Sequence, residues 1–241
     1  MTNAAVMLTY NNLELTKEAV ASVYRQDIPV TLLVIDDVSS DGTREWLQSS
    51  EFPGIAKLHT TNRGATAGYN EGLRFWFENT SVNHVLTMNN DIILPSWYFR
   101  TLLSCGRDLI SGYTTDDMNE IVSPKPHGDA VQGGNYGAWL QSRHAWDVVG
   151  PFDESMIFYA SDCDYGVRAH RKGIVQSEIF LPYYHFGSAT LRKADPESRR
   201  RMEIQADADR AVFQSKWGCI PGDEGWPKLL TPEFFGVDNR K

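Results

Sequence analysis

The sequence predicts an α/β fold in which a mostly parallel sheet is covered by helices on both faces, followed by a smaller loop-rich region and a helical C-terminal tail. Two observations predict it. Apolar runs as long as buried strands alternate with segments of helical period along the first part of the chain, as is typical of parallel sheets. After about Gly112, Gly, Asn, Asp and Pro become frequent and strand signals shorten, which indicates loops.

The individual elements follow from apolar spacing and from turn residues. Near-continuous apolar runs predict buried strands, and apolar residues three or four positions apart predict helices. Short side chains at 39–42 can cap one helix, and Gly173 can end another. Strands are expected at 4–10, 30–35, 55–59, 85–88 and 138–140, and helices at 13–24, after 39–42, and at 68–77, 162–172 and 196–217.

Composition limits the function classes. The chain has 241 residues, enough for one large α/β domain or two small ones. Its formal charge of −8 disfavours broad nonspecific binding to nucleic acid or to an anionic membrane. Three widely spaced cysteines without a C-x-x-C pair suggest neither a disulfide framework nor a thiolate zinc site. No apolar run approaches the length of a membrane span, so we expect a cytoplasmic protein.

Acidic and amide side chains follow the predicted strands at the edge where a parallel sheet binds its ligands. The run Asp36-Asp37 ends one strand and the run Asn89-Asn90-Asp91 ends another. Asp162 and Asp164 lie at the expected start of a helix. Carboxylate oxygens suit Mg²⁺ or Mn²⁺ and leave positions open for phosphate oxygens. The recurrence of acids after apolar runs therefore predicts a single site.

Five segments together resemble a known family, the family 2 glycosyltransferases of the GT-A fold. They are LVIDDVSSDGT at 33–43, TNRGATAGYNEGL at 61–73, NND at 89–91, VGPFDE at 149–154 with SDCD at 161–164, and HFGSAT at 185–190. Each segment alone is weak, but five in the right order are specific. The resemblance implies a Rossmann-like GT-A domain, and its second and fourth segments are similar to the rhamnosyltransferase-like branch.

The resemblance implies a nucleotide-sugar site in the first half of the chain. Asp37 is expected to hydrogen-bond the nucleobase, whereas Asp36 is expected to brace the turn after its strand. Arg63 is expected near the diphosphate, although it can equally be a solvated loop charge. The full set of expected nucleotide-sugar contacts is Thr9, Tyr10, Asn11, Asp37, Asn62, Arg63, Gly68, Asn70, Asn89 and Asn90.

The resemblance also implies the chemistry of transfer. Asp91 is the expected ligand of Mn²⁺ or Mg²⁺, and His185 is expected to complete the metal shell. An inverting transfer needs a base on the acceptor side, for which Asp162 or Asp164 is expected. Asp164 can equally be a first-turn helix acid. Ser161 stands where the family usually has Glu, which leaves the choice between the two acids open.

The expected domain organisation divides the chain into three parts. Residues 1–190 form the catalytic domain, with a nucleotide-sugar-binding half at 1–111 and an acceptor-binding half at 112–190. Residues 191–241 form a C-terminal helical extension. Tyr136 and Trp139 are expected to bind the acceptor by stacking on a sugar, although each can also be a core aromatic. The basic run at 199–201 is expected to be a solvated helix face, with an anionic acceptor as the alternative.

The function that the resemblance implies is an inverting sugar transfer from a nucleotide diphosphate-sugar, with UDP-sugars favoured. The expected acceptor is a glycan or a lipid-linked glycan. Three alternatives stay open: a catalytically silent nucleotide-sugar or glycan-binding module, a sugar-nucleotide nucleotidyltransferase, and transfer to a hydroxylated base in nucleic acid. The segment at 8–12 lacks the glycine-rich phosphate loop of a nucleotidyltransferase. Ser161 keeps the silent module open.

Overall fold

The computed structural model of the chain describes residues 3–122, 131–132, 136–187 and 195–230. The helices in these ranges are α1 Leu13–Tyr24, α2 Thr43–Gln48, α3 Gly64–Asn79, α4 Tyr98–Ser104, α5 Arg143–Val149, α6 Ser161–Arg171 and α7 Pro196–Trp217. The strands are β1 Asn3–Thr9, β2 Val30–Asp36, β3 Ile55–Leu58, β4 His84–Asn89, β5 Ile92–Ile93, β6 Leu109–Thr115, β7 Val131–Gln132, β8 Ala138–Ser142 and β9 Gln176–His185. Short 3-10 helices occupy Met118–Ile121 and Trp226–Leu230.

The predicted α/β architecture is confirmed. Strands β3, β2, β1 and β4 pair in this order, and all three pairings are parallel. Successive residues of β1 point to opposite faces of the sheet, as the pleat requires. Ala5 and Met7 join a core cluster that includes residues of α1 and α4, whereas Ala4 and Val6 join a cluster with residues of α3, α5 and α6. Both faces of the sheet are therefore covered.

The second half of the sheet is mixed, so parallel pairing is less extensive than the sequence predicted. The order continues from β4 through β8, β6 and β9 to β5, and β7 also pairs with β9. Only the β6–β9 pairing of this half is parallel, and β8 runs antiparallel to both β4 and β6. The reason is that β8 follows a loop-rich segment, and an antiparallel neighbour needs no crossover helix.

The sequence did not predict helices α4 and α5 or strands β5, β6, β7 and β9. Gly112 was taken as the start of a loop-rich region, but it lies inside β6, so the predicted boundary between residues 111 and 112 cuts a strand. A Cβ at Gly112 would collide with the carbonyl oxygen of Leu181 in β9. Glycine is therefore needed here because two backbones approach closely. The division of the catalytic domain into two halves stays a prediction.

Helix α7 has the bounds that the sequence predicted, and it packs against the rest of the chain. Phe213 of α7 is fully buried in a third core cluster with Met156, Ala160 and Val167. In the described ranges, no helix combines the length and the hydrophobicity that a membrane span requires. The end of the HFGSAT segment, at 188–190, lies outside the described residues.

Candidate active site

The two acids after β2 have different structural roles. Asp36 is fully buried, and its carboxylate accepts hydrogen bonds from the backbone N–H of Ser39 and from Arg44 Nη1 at 2.9 Å. This contact braces the loop after β2, as predicted. Asp37 accepts from the backbone N–H groups of Arg63 and Gly64, both at 2.9 Å. Because α3 begins at Gly64, the Asp37 carboxylate satisfies N–H groups at the start of this helix.

Asp37 still lines the cavity described below, although only 3% of its surface is exposed. Its Oδ1 also lies 2.8 Å from Nδ1 of the buried His59. Both carboxylate oxygens are thus engaged within the protein. The structure gives Asp37 the role of fixing α3 beside the cavity, and its contact with a nucleobase stays a prediction.

A buried polar network joins the ends of β1 and β4. Asn90 Nδ2 lies 3.0 Å from Thr9 Oγ1, 2.9 Å from Thr16 Oγ1 and 3.0 Å from the carbonyl oxygen of Asn11. Thr9 is fully buried, so the structure contradicts its predicted contact with base and ribose. The Thr9 hydroxyl instead accepts a hydrogen bond from the buried Asn90 amide, which would otherwise lack this partner.

Asn11 connects two loops at the same edge of the sheet. Its backbone N–H donates to Ser39 Oγ at 2.7 Å, and its side-chain Oδ1 accepts from the backbone N–H of Ser40 at 2.8 Å. Its φ of 57° is left-handed, a conformation that asparagine tolerates better than most residues. Asn11 is therefore a loop-fixing residue, in contrast to the predicted ligand contact.

Asp91 and His185 lie together, as the predicted metal pair requires. Strand β5 pairs with β9 so that Ile92 stands opposite His185, and the backbone N–H of Phe186 donates to the carbonyl oxygen of Asp91 at 3.0 Å. This pairing brings His185 Nε2 to 3.2 Å from Asp91 Oδ1. A carboxylate oxygen and an imidazole nitrogen both suit Mn²⁺. The described residues contain no group of three such ligands. The other coordination positions of an ion would be filled by oxygen atoms of the nucleotide-sugar or by water.

One cavity of about 630 Å³ opens at the carboxyl ends of β1, β2 and β4. Six predicted site residues line it, namely Tyr10, Asp37, Asn62, Asn89, Asn90 and Asp91. The β1–α1, β2–α2 and β3–α3 loops and the segment after β4 thus meet at one place. The volume lies in the usual range for small-molecule pockets, about 300–1,000 Å³. The structure therefore brings these six predicted residues to one cavity, and their contact with a nucleotide-sugar stays a prediction.

Three other predicted contacts do not line this cavity. Arg63 Nη1 pairs with Glu71 Oε2 at 2.6 Å. Gly68 lies against β1, where a Cβ would collide with the Leu8 side chain. Because glycine has no Cβ, α3 can approach the sheet closely. Asn70 is fully buried, and its Nδ2 donates to the Phe152 carbonyl oxygen at 2.9 Å. These residues position α3 and its neighbours and are corrections to the predicted ligand set.

Tyr69 is a cavity residue that the sequence analysis missed. Its hydroxyl donates to Asn89 Oδ1, and its side chain lines the cavity. Burial first, and then the negative charges of Asp91 and Asp162, raise the pKa of Tyr69 far above its usual value. The hydroxyl therefore lies close enough to both acids to feel their charges. Asp162 itself lies outside the cavity lining.

Of the two predicted catalytic acids, Asp164 is structural. It is fully buried and is held by Arg168 Nε at 2.7 Å, Lys216 Nζ at 2.6 Å and Trp217 Nε1 at 3.0 Å. Its oxygens are committed to tying α6 to α7. Asp162 is half-buried in the first turn of α6, and its Oδ1 accepts only the adjacent Cys163 N–H among the hydrogen bonds resolved for the described residues.

The predicted acceptor residues belong to an aromatic cluster. Trp139 is buried between Tyr69, Tyr136 and Phe152, whose rings contact it edge to face, so stacking on a sugar is contradicted. Tyr136 packs in the same cluster, but within the described residues its buried hydroxyl has no hydrogen-bond partner. Burial first, and then the charges of Tyr165 and Asp162, raise the pKa of Tyr136 well above its ordinary value.

Residues 4–103 match the family model described as "Glycosyl transferase family 2". Residues 4–103 are therefore similar to the family 2 glycosyltransferases, as the resemblance in the sequence implied. A search of curated proteins found no match to the chain.

Solved structures share the fold of this chain. A crystal structure of S. aureus TarS is 16% identical with a TM-score of 0.59, and the match covers 100% of this chain and 50% of that one. A second TarS structure, in complex with UDP, is 15% identical with a TM-score of 0.59, covering 98% and 71%. The mannosyltransferase PcManGT from Pyrobaculum calidifontis, with GDP-Man and Mn2+, is 16% identical with a TM-score of 0.59, covering 94% and 67%. At these identities the likeness shows the GT-A fold alone.

Part of the cavity lining comes from α7, which lies outside the matched residues 4–103. The helix contributes Ser198, Arg201, Met202 and Gln205 to the lining. The sequence analysis treated the basic run at 199–201 as a solvated face. The signal that could have identified the lining face is the spacing of these four residues, at i, i+3, i+4 and i+7.

Asp209 attaches α7 to the loop before α6. It is fully buried, and its carboxylate accepts the backbone N–H groups of Ile157 at 3.0 Å, Phe158 at 2.8 Å and Tyr159 at 2.9 Å. Phe158 and Tyr159 also line the cavity, so one carboxylate holds two of its walls together. Lys216 adds a further tie at 2.8 Å from Asp153. Burial opposes ionisation of Asp153, but hydrogen bonds from Lys216 and Ser155 lower its pKa to about 2.

Replacing Asp209 with alanine is expected to lower the free energy of unfolding by about 2 to 3 kcal/mol, because three backbone N–H groups lose their acceptor. Urea denaturation monitored by tryptophan fluorescence measures the change. Asp207→Ala is the matched control. Asp207 lies on the same helix, and its side chain is 81% exposed and forms an ion pair with Arg210. Equal unfolding free energies for the two variants would contradict the anchoring role of Asp209.

Proposed function

We propose that this chain transfers a sugar from a nucleotide diphosphate-sugar, with a UDP-sugar favoured, to a hydroxyl group of a glycan acceptor. The observation that carries the proposal is the cavity at the carboxyl edge of the sheet, where Tyr10, Asn62 and Asp91 meet. TarS structures with UDP and with UDP-GlcNAc, and a mannosyltransferase with GDP-Man and Mn2+, support a donor of this class.

The donor side is built around Asp91. Together with His185 it would hold Mn²⁺ or Mg²⁺, and the chemistry of the pair fits either ion. When bound, the ion supplies positive charge to the diphosphate as the sugar leaves it. Tyr10, which is about one-third exposed, offers an aromatic face to base or ribose, and Asn62 offers amide hydrogen bonds. Asn89 positions Tyr69 between the donor and acceptor sides.

The acceptor side is the side of Asp162. In an inverting transfer its carboxylate takes the proton of the acceptor hydroxyl, while that oxygen bonds the anomeric carbon and the bond to the diphosphate breaks. The N-terminus of α6 stabilises the negative charge of Asp162 and keeps it ready to accept the proton.

A thermal-shift panel tests the donor. Nucleoside diphosphates and nucleotide-sugars would be added with and without Mn²⁺, and one nucleotide family is expected to raise the unfolding temperature in a Mn²⁺-dependent way. A ligand at one hundred times its Kd stabilises a folded protein by about 2.7 kcal/mol. ADP-sugars and GDP-sugars serve as base controls for UDP-sugars. Absence of any shift would contradict the proposed function.

A second candidate is a binding module without turnover. Ser161 favours it, because its hydroxyl bonds Thr66 Oγ1 at 3.0 Å and brings no carboxylate to a position where the family usually has Glu. The two candidates differ in turnover of a bound donor. Release of free nucleoside diphosphate from the best-binding nucleotide-sugar, in the presence of oligosaccharide acceptors, would support the transferase. Binding without release would support the module.

A further inference from the structure

The cavity-facing residues of α7 form one stripe of the helix. Ser198, Arg201, Met202 and Gln205 are spaced so that their side chains lie above one another on one face, and all four line the cavity. Asp209 continues the stripe one turn further and accepts from Gln205 Nε2 at 2.8 Å. Since Asp209 also holds the backbone of residues 157–159, the stripe has a fixed place relative to the domain.

Charge singles out Arg201 within this stripe. The cavity lining carries two acids, Asp37 and Asp91, and among its residues in the described part of the chain Arg201 is the one cation. A diphosphate carries at least two negative charges, and bringing it beside two carboxylates requires positive charge. Arg63, which the sequence assigned to this task, is paired with Glu71 at 2.6 Å and does not line the cavity.

The present partners of Arg201 leave it able to bind an anion. Its Nη1 lies 3.1 Å from Glu197 Oε1, and its Nη2 lies 3.1 Å from Ser198 Oγ. Glu197 is 80% exposed, and exposed ion pairs of this kind are weak. A guanidinium has five N–H donors in a planar fork that matches phosphate oxygens. The contacts on α7 therefore orient the group without using up its donors.

We propose that Arg201 binds the diphosphate of the donor, so that the C-terminal helix supplies the protein's own cation to this group. The inference rests on the proposed function and adds to it. It makes α7 a part of the donor site, and it assigns to Arg201 the role that the sequence assigned to Arg63. The shape of the cavity agrees, because α7 forms the wall that the loops of the matched residues 4–103 leave open.

Arg201→Gln tests the proposal, with Arg200→Gln as the matched control. Arg200 is the adjacent residue, carries the same charge, is exposed and does not line the cavity. Affinities in Mn²⁺ would be measured by calorimetry for UDP and for uridine, or for the diphosphate and nucleoside of whichever base the panel selects. Arg201→Gln is expected to weaken diphosphate binding about tenfold or more, as expected for loss of a charge-assisted hydrogen bond. Nucleoside binding is expected to change less than about twofold.

Arg201→Lys gives a second measure, because lysine keeps the charge but lacks the planar fork. Its diphosphate affinity is expected to fall between those of the wild type and Arg201→Gln. Equal diphosphate affinities for Arg201→Gln and Arg200→Gln, with tight binding by the wild type, would overturn the role of Arg201 and leave the proposed function standing. A wild-type protein that binds no nucleoside diphosphate would overturn both.

Discussion

Replacing Asp91 with alanine is expected to abolish the Mn²⁺-dependent part of donor binding. Asp91 lines the cavity and is paired with His185, and a carboxylate with an imidazole suits a divalent cation. A nucleoside diphosphate at one hundred times its wild-type Kd stabilises the folded state by about 2.7 kcal/mol. A hundredfold loss of affinity would reduce this stabilisation to about 0.4 kcal/mol. Thermal shift with and without Mn²⁺ measures the difference.

Two further variants separate metal binding from damage to the fold. Asp91→Asn keeps the size of the side chain but removes its charge, and we expect it to lose the Mn²⁺ dependence as well. Asp116→Ala removes an exposed acid that does not line the cavity, and it should retain the full ligand-induced shift. If Asp91→Ala kept the Mn²⁺-dependent shift of the wild type, the metal would have to be held elsewhere.

Asp162→Asn is expected to lower the rate of sugar transfer by at least about a hundredfold, because a positioned base contributes about 10²–10⁴ to such reactions. The amide keeps the shape of the side chain but cannot take the acceptor proton. Asp162 does not line the donor cavity, so affinity for the nucleotide-sugar should stay close to that of the wild type. Release of nucleoside diphosphate and calorimetric titration of the donor measure the two quantities separately.

Asp164→Asn is expected to lower the stability of the fold, in contrast to Asp162→Asn, which is expected to lower the rate of transfer. The change at Asp164 would leave Arg168 and Lys216 facing a neutral group in a buried place, and breaking a buried pair costs about 3–5 kcal/mol. We therefore expect a marked loss of stability on urea denaturation, which Asp162→Asn should not share. A stable Asp164→Asn variant without transfer, beside an active Asp162→Asn variant, would exchange the roles of the two acids.

The first half of the fold could be predicted because its signals are local. Helix α1 has the predicted bounds, β1 and β4 differ from the predicted strands by one residue at each end, and β2 differs by one residue at its C-terminal end. Their apolar runs report burial on both faces of a parallel sheet, whatever the neighbours are. Strand β9 could not be predicted in the same way, since its buried positions alternate with exposed ones and Pro182 interrupts the run.

The structure brings some of the predicted site residues to one cavity and buries others within the protein. Runs at strand ends gave Tyr10, Asn89 and Asp91, because the carboxyl ends of parallel strands must meet at one edge. Asn70 and Thr9 carry the same polar groups as ligand contacts, but both are fully buried and satisfied within the protein. The sequence shows which hydrogen-bond donors and acceptors a side chain carries, but it does not show which groups they bond in the folded protein.

The sequence by itself determined the alternation of strands and helices, the edge at which polar residues gather and the exact course of α7. Only the tertiary structure decided that α7 closes the cavity, since this depends on Asp209 meeting the backbone of residues 157–159, about fifty positions earlier. It also decided that Asp164 is bound to Lys216 and Trp217 while Asp162 is not. The physical reason is that helical period and strand ends arise from neighbours in the chain, whereas the partner of a charge is chosen by packing between distant segments.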